Sequence, residues 1–251
     1  MTPIEAAVAE FKPISLPQMD SVALMNRVDT KYVISEAQVT TLLNSVIPSY
    51  QVLEVGAGRI FPYRTVYYDT EDLFLLHQHL HGKLNREKIR AREYVGTASR
   101  FFELKRKTNK GRTIKKRIAK TGDLRLIQEE ETAFLKDRSG NITAELSPVI
   151  EVGFSRITLV SLQLCERVTI DLKLGFSGPK EERPLENIAI VEVKKGAEGG
   201  VSSPVTASLK HMMARPFSIS KYCLGMVLLN ETDFYNPYKS KLLKLNKIAT
   251  C

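Results

Sequence analysis

The sequence predicts an α+β fold in which an antiparallel β-barrel is flanked by helices. From residue 27 onward the chain divides into short segments rich in β-branched and aromatic residues, and turn-forming residues separate them. In these segments a cation recurs at every second residue, so one face of each strand is charged and the other is apolar. Closing such a sheet places the charge in a central bore and leaves an apolar exterior for helices to cover.

The elements follow from local patterns. Ser35 and Gln38 form a capping-box pattern ahead of apolar residues at helical spacing, and Pro48 ends that helix. Gly111 suits a hairpin turn between two basic strands. Strands are predicted over residues 27–34, 50–55, 63–68, 88–94, 100–107, 112–119, 149–156, 166–172 and 189–194. Further helices are predicted over 71–79, 124–136, 205–213 and 218–230. We expect a lead-in at 1–20, a single domain at 21–235 and a solvated basic tail at 236–251.

Positive charge is concentrated in one stretch of the chain. The 251 residues carry a net charge of +9, but the segment from Lys83 to Lys120 holds 15 Lys and Arg against three acids. The remainder holds 22 basic and 25 acidic residues. Because all the excess lies in one segment, the sequence indicates a polyanionic partner rather than a generally basic, soluble surface.

Several classes of protein are disfavoured by the sequence. No apolar run approaches the roughly 20 residues of a spanning helix, so no transmembrane segment is expected. The N-terminal residues MTPIEAAVAEF lack the pattern of a signal peptide, which favours a cytoplasmic location. The three cysteines have no metal-type spacing and are interpreted as reduced, structural thiols. The histidines of HQHLH are interpreted as surface or helix-end residues, and no P-loop pattern is present.

Strand parity identifies the charged face. Residues two apart in a strand share a face, which separates Lys105 and Lys107 from Arg106, and Arg90 and Arg92 from Glu93. The face so defined carries Arg27, Asp29, Lys31, Lys88, Arg90, Arg92, Glu103, Lys105, Lys107, Lys115, Arg117, Arg167, Thr169, Asp171, Glu192 and Lys194. Like charges on neighbouring strands repel, so we expect a polyanion, a divalent cation or both to compensate them. A solvated basic surface is the alternative, but it leaves the regular alternation and the interspersed carboxylates unexplained.

Seven sequence blocks, in order, carry a resemblance to a known family. They are RVDTKY, VYYDT, GKLNREKIRAREY, FFELKRKTNKGRTIKKR, RVTID, VEVKKG and SKYCLGM, and they span residues 27–226. Together they resemble the VTC domain, the polyphosphate polymerase module of the CYTH or triphosphate-tunnel superfamily. The resemblance implies a β tunnel that holds a triphosphate together with Mn²⁺ or Mg²⁺. It also implies transfer of the γ-phosphate of ATP to a growing inorganic polyphosphate chain.

The resemblance also implies roles for residues. The expected catalytic residues are Lys31, Arg90, Arg92, Lys105 and Lys221. Phosphate binding is expected from Lys107, Arg117, Arg167 and Lys194, to which strand parity adds Arg27, Lys88 and Lys115. Glu192 is the expected metal ligand, with Glu103 as a second. The first block has Arg27 and Asp29 where the superfamily has glutamates, which favours a polymerase over a triphosphatase.

Other functions remain open at this stage. A metal-dependent triphosphatase would use the same tunnel with water as the acceptor, and a catalytically inactive module would only bind polyphosphate. A nucleic-acid-binding protein is disfavoured, because the basic segment has few aromatic residues on which bases could stack.

Overall fold

The computed structural model describes residues 1–20, 27–140, 142, 145–196, 203–229 and 235–250, which form one eleven-stranded sheet with helices against both faces. The strands are β1 Lys12–Ile14, β2 Arg27–Ser35, β3 Gln51–Leu53, β4 Ile60–Asp69, β5 Arg86–Tyr94, β6 Ser99–Lys107, β7 Thr113–Ala119, β8 Ser147–Ser161, β9 Glu166–Ser177, β10 Glu182–Leu185 and β11 Ile188–Gly196. The helices are α1 Pro3–Ala9, α2 Leu16–Asp20, α3 Glu36–Val46, α4 Phe74–Leu80, α5 Glu129–Arg138, α6 Pro204–His211, α7 Lys221–Leu228 and α8 Tyr235–Ala249, with short 3-10 turns at Ile47–Ser49 and Val95–Thr97.

The main path of the sheet is antiparallel throughout. Its order is β2-β11-β9-β8-β4-β5-β6-β7, so β2 and β7 are its two ends. Off this path, β10 pairs with β9, while β3 pairs with β8 and, in parallel, with β1.

The sheet is curled. Lys31 on β2 and Lys105 on β6 are six strand positions apart, which would place them roughly 29 Å apart in a flat sheet. The charge of Lys31 nevertheless acts on Lys105 directly, which requires a much shorter separation. Strands β5 and β6 therefore face β2 across a concave surface. The predicted antiparallel α+β fold is confirmed, in the form of a curled half-barrel.

The convex face is covered by helices. Apolar residues of α1, α3 and α6 pack against β2, β8, β9 and β11 in one cluster. A second cluster lies between β4, β5 and β6 and the segment that includes α5. In α3 the apolar residues at helical spacing, Val39, Leu42, Leu43 and Val46, are all fully buried, and the capping box of Ser35 and Gln38 is present. Burial of the apolar faces on this side turns the charged faces inward.

One end of the concave face is filled by α7 and α8. Tyr222, Leu224 and Met226 of α7 pack on inward residues of β8 and β9, including Ile150 and Phe176. Tyr238, Leu242 and Leu245 of α8 extend the same cluster and are buried. The inner surface is therefore divided into an apolar part occupied by these helices and a charged part that they leave open.

A bulge in β9 makes this division possible. The pairing register between β8 and β9 shifts between Gly153 and Ser155 of β8, because β9 carries one extra residue there. In the bulge, Lys173 takes a left-handed φ of 50°. Asp171 lies on the inner face, and Leu172 packs outside. After the bulge, Leu174 and Phe176 point inward to the α7 cluster. Regular alternation would have turned both of them outward.

The structure differs from the sequence predictions at both termini. Ala7, Val8 and Phe11 of the expected lead-in are buried in the convex core, since α1 packs against α3. The expected solvated tail is a helix from 235 to 249 with a buried apolar face, because its leucines recur at helical spacing. Asn230, the last residue of the helix predicted over 218–230, and Cys251, one of the three cysteines interpreted as structural, lie outside the described residues.

The helix predicted over 124–136 begins only at Glu129. Gln128 and Glu131 form its capping box, and Leu124 lies instead in a turn, where the Tyr68 hydroxyl donates to its carbonyl. No described helix is long and apolar enough to cross a membrane.

Gly225 is a test of how closely α7 fits the sheet. A Cβ added there would lie 2.3 Å from Cδ1 of Ile150 and 2.5 Å from Cδ1 of Phe176. We expect Gly225→Ala to destabilise the protein by about 1–3 kcal/mol through overpacking. Urea unfolding measures the change. Gly175→Ala is the matched control, because a Cβ at Gly175 meets nothing within 4 Å, and equal midpoints for both variants would contradict the close fit.

Candidate functional site

The open, charged part of the concave face, called the bore below, is lined by side chains from seven strands and from the start of α7. Its cations are Lys31, Lys88, Arg90, Arg92, Lys105, Lys115, Arg156, Lys194 and Lys221, and its carboxylates are Glu103, Asp171 and Glu192. All but Arg156 and Asp171 were predicted as site residues from the sequence. The structure brings these residues together.

Each carboxylate of the bore lies between two cations. Asp171 accepts a bidentate contact from Arg156, at 2.5 and 2.8 Å, and a third contact from Lys221 at 2.5 Å. Glu192 is 3.3 Å from Nζ of Lys31 and 2.5 Å from Nζ of Lys194. These pairs fix the cations in position, because a charged hydrogen bond is shorter and stronger than a neutral one.

Glu103 is the most deeply held of the three carboxylates. Its side chain is 1% exposed and pairs with Arg90 at 2.6 Å and with Lys115. Burial would raise the pKa of Glu103, but Arg90, Arg92 and Lys115 outweigh it and lower the pKa to about 2. The pKa values of Asp171 and Glu192 are lowered in the same way by their cations. All three are therefore anionic at neutral pH.

Three cations of the bore are left without a carboxylate partner. Lys88 and Lys105 are direct cross-strand neighbours on β5 and β6, and Arg92 lies beyond Arg90 on the same face of β5. Lys88 donates to Oγ of Ser220 at 2.9 Å, and Arg92 donates to Oγ1 of Thr65 at 3.2 Å. Within the described residues, none of the three forms an ion pair. Adjacent like charges repel, so this group is the part of the bore best suited to an anion.

The electrostatic field of these cations perturbs the groups around them. Partial desolvation by the walls, together with Lys31, Arg90 and Lys88, lowers the pKa of Lys105 to about 8, although its side chain remains exposed to solvent. The pKa values of Lys88 and Arg92 are lowered by burial and by neighbouring cations. Burial would raise the pKa of the Tyr67 phenol, but Arg90, Arg92 and Lys88 outweigh it and lower that pKa.

A pair of aromatic rings contacts three of the cations through their π faces. Tyr63 and Phe154 stack with centroids 5.2 Å apart. Arg156 lies 5.1 Å from the Tyr63 centroid, Arg92 lies 5.7 Å from it, and Lys221 lies 4.7 Å from the Phe154 centroid. Cation–π contacts of this kind hold the charged groups without neutralising them. Arg156 was not predicted from the sequence, because the residues that share its face on β8, Val152 and Phe154, are apolar.

The remaining predicted phosphate ligands lie towards the edges of the bore. Lys107 is exposed at the end of β6, and Arg117 on β7 covers the Phe101 ring at 4.3 Å. Arg167 donates to the carbonyl of Met19 at 3.0 Å. Arg27 forms an exposed ion pair with Asp29 at 2.8 Å.

The residues assigned by parity to the opposite face lie there. Arg106 pairs with the buried Glu87 at 2.5 Å and donates to the carbonyl of Arg138. Glu93 pairs with Arg64 and Arg100 on the outer side of the sheet.

Asp69 and His79 both make structural contacts outside the bore. Asp69 is buried and accepts the backbone N–H groups of Leu75 and Leu76 and the hydroxyl of Tyr222, so it joins α4 to α7. His79 lies close to the carbonyl of Glu87, with Nε2 at 2.9 Å. The described residues contain no group of three His, Cys, Asp or Glu side chains that could hold a metal ion.

A divalent cation nevertheless fits the bore in one way. Thr169 is the cross-strand partner of Glu192, and its hydroxyl is buried without a hydrogen-bond partner among the described residues. Asp171 is two residues further along the same face. A cage built only of protein ligands is thus not offered, but one or two carboxylates could share a metal with phosphate oxygens, as is usual for Mg²⁺.

Comparison with known proteins assigns the family. The family model of the VTC domain matches residues 26–230. The chain belongs to the VTC domain family. This membership, with the cation-lined bore, supports a tunnel-fold enzyme that binds triphosphates. The sequence matches no curated protein.

Solved structures with a similar course of the chain include two putative adenylate cyclases. One, from Bacillus halodurans, is 15% identical, with 78% of this chain and 94% of that chain covered and a TM-score of 0.45. The other, from Vibrio parahaemolyticus, is 13% identical, with 79% and 97% covered and a TM-score of 0.48. A putative adenylyl cyclase from Hippeastrum, with a dominant triphosphatase activity, is 12% identical, with 80% and 94% covered and a TM-score of 0.47.

The division between inner and outer cations predicts which lysines hold a triphosphate. We expect Lys105→Gln to weaken tripolyphosphate binding at least tenfold, because a charge-assisted contact is worth about 1.5–3 kcal/mol. Lys116→Gln on β7 is the control, since Lys116 is exposed and opposes Leu104 on the outer face. It is preferable to Arg106, whose removal would leave Glu87 buried and unpaired. Calorimetric titration measures both affinities, and equal losses would mean a general basic patch.

The lowered pKa of Lys105 predicts a pH dependence of binding. In the free bore Lys105 is charged below about pH 8 and loses its proton above it. A bound phosphate favours the ammonium form and raises this pKa, so binding takes up a proton as pH passes through that range, and affinity falls as pH rises. Calorimetry in buffers of different ionisation enthalpy measures the uptake. Lys105→Arg should lower the uptake, because a guanidinium stays protonated, and an unchanged uptake would contradict the assignment.

Proposed function

We propose that this protein is a polyphosphate polymerase, which transfers the γ-phosphate of ATP to a growing inorganic polyphosphate chain held in the bore. One observation carries the proposal. Lys88 and Lys105 are adjacent cations that face Lys31 across the half-barrel, and Arg92 lies further along the same wall; no carboxylate pairs with these three cations within the described residues. Such a group is stabilised when several linked phosphates bind to it at once.

The bore residues supply what phosphoryl transfer requires. The reaction needs its attacking and leaving oxygens in line, and it needs neutralisation of the charge on the transferred group. Arg90 and Arg156 are fixed by Glu103 and Asp171, so their guanidinium groups are held in place before the substrate binds. Lys221 reaches the same region from the first residue of α7. We assign these cations, with Lys31, Arg92 and Lys105, to hold the triphosphate and the chain end against one another.

The remaining predicted ligands complete the proposal. Lys88, Lys115 and Lys194 line the bore and would bind further phosphates, and Lys107, Arg117, Arg167 and Arg27 would do so towards its edges. Glu192, beside the unpartnered hydroxyl of Thr169, would hold Mn²⁺ or Mg²⁺ together with phosphate oxygens. Glu103 would be a second ligand only if it released Arg90 or Lys115. Such an ion would neutralise the phosphate oxygens that gain charge during transfer.

The direct test is to incubate the purified protein with ATP and Mn²⁺ and to separate free phosphate from polyphosphate on a gel. A ladder of polyphosphate supports the proposal. Release of free phosphate alone would make the protein a triphosphatase. Binding of tripolyphosphate with no turnover of ATP under either metal would make it a binding module.

Glu192 is expected to be needed for turnover and not for binding. Glu192→Gln should abolish turnover, because the carboxylate that shares the metal is lost. Binding of metal-free tripolyphosphate should persist or tighten, since Lys31 and Lys194 are released from their ion pairs. Turnover assays and calorimetry measure the two effects.

The control for this change is Glu182→Gln on β10, which is exposed and accepts from Ser177 outside the bore. Strong residual turnover of Glu192→Gln at saturating Mn²⁺ would contradict the assignment of Glu192 as a metal ligand.

A further inference from the structure

A second basic cavity lies outside the bore, at the turn between β6 and β7. Its volume is about 400 Å³. Arg106, Lys110 and Arg112 supply three cations to its wall, and Asn85, Thr108, Asn109 and Gly140 complete it. Below it is called the turn cavity. None of these residues belongs to the catalytic or binding set assigned above.

Two of the three cations in the wall of the turn cavity, Lys110 and Arg112, have no acidic partner among the described residues. None of its lining residues in the described part of the chain is Asp or Glu. The nearby carboxylate, Glu87, has a fully buried side chain that is occupied by Arg106, at 2.5 Å, and by Oγ of Ser139, at 2.7 Å. Lys110 and Arg112 are exposed. A concave surface with cations and no acid attracts anions.

The turn that carries these cations is fixed by its own backbone. The N–H of Thr108 donates to the carbonyl of Arg112 at 2.8 Å, and the N–H of Asn109 donates to Oδ1 of Asn85 at 2.9 Å. Gly111 has a φ of 74°, which a side chain would strain. The cavity is therefore formed before any ligand enters, which lowers the entropic cost of binding.

The turn cavity begins where the cations of the bore end. Lys105 and Lys107 are successive inward residues of β6, about 7 Å apart along the strand. Thr108 follows Lys107 directly and lines the cavity. Because Arg106 places the cavity on the outer side of the sheet, a chain of phosphates that leaves Lys88 and Lys105 along β6 would pass Lys107 and go round the end of the turn to reach Lys110 and Arg112.

We propose that the turn cavity is a second phosphate-binding site that holds a segment of inorganic polyphosphate emerging from the bore. The inference rests on the proposed function for the identity of the chain, but the site is separate from the bore. Such a second site makes the affinity for polyphosphate depend on chain length. Tripolyphosphate contacts only the bore, whereas a long chain reaches both sites. Linkage of the two sites on one chain raises the affinity without any change in the bore.

The test is the double variant Lys110→Gln/Arg112→Gln. The hydrogen bonds of the turn use the backbone of Arg112, so the variant keeps the turn. We expect affinity for long-chain polyphosphate to fall about tenfold and its salt dependence to become shallower, as two phosphate contacts are lost. Affinity for tripolyphosphate should be unchanged. Calorimetry with both ligands at two salt concentrations gives these values.

The matched control is Lys239→Gln/Lys244→Gln on α8, which removes two exposed positive charges at a place remote in sequence. An equal loss in this control would overturn the proposal, as would no loss in the test variant or equal losses for both ligands. If wild-type protein fails to bind tripolyphosphate but long-chain binding still depends on Lys110 and Arg112, the proposed function of the bore fails and the turn cavity stands. If the test variant lost orthophosphate binding to the same extent as long-chain binding, the turn cavity would be a site for single phosphates. That result would overturn the proposal that it holds a segment of polyphosphate.

Discussion

Repulsion among cations on a curled sheet is the constraint on which the rest of the structure depends. Lys88 and Lys105 are placed opposite one another on neighbouring strands and are brought towards Lys31 by the curl. Like charges in this arrangement oppose folding. The free energy that offsets this repulsion must come from other parts of the structure. Burial of apolar side chains supplies it in the two clusters on the convex face and in the cluster around α7.

The contacts within the bore also limit this repulsion without removing the positive charge. Asp171, Glu103 and Glu192 each neutralise part of the charge of two cations, while the stacked rings of Tyr63 and Phe154 stabilise others through their π faces. Breaking one of these ion pairs from one side would leave a buried charge uncompensated. The carboxylates thus serve the fold even before any metal or phosphate is considered.

Much of this arrangement follows from local sequence and some of it does not. The period of two in 88–94 and 100–107 correctly separates Lys105 from Arg106, because both faces of those strands have a distinct chemistry. Arg156 escaped prediction since its own strand gives it apolar neighbours, and only pairing with β9 places it against Asp171. The packing of α1 and α8 likewise depends on surfaces formed by distant parts of the chain. The half-barrel was predictable as a barrel-type sheet, but its open order of strands was not, because pairing of β2 with β11 joins segments more than 150 residues apart.

The bulge at Lys173 has a consequence for how this strand can change over evolutionary time. One strand supplies Asp171 to the charged part of the inner surface and Leu174 and Phe176 to the apolar part, and a single extra residue separates the two. Substitutions on either side can be accepted independently, since they affect different neighbours. Deletion of one residue there would exchange inside for outside along the remainder of the strand. Length, rather than composition, is therefore what selection should hold constant in this segment.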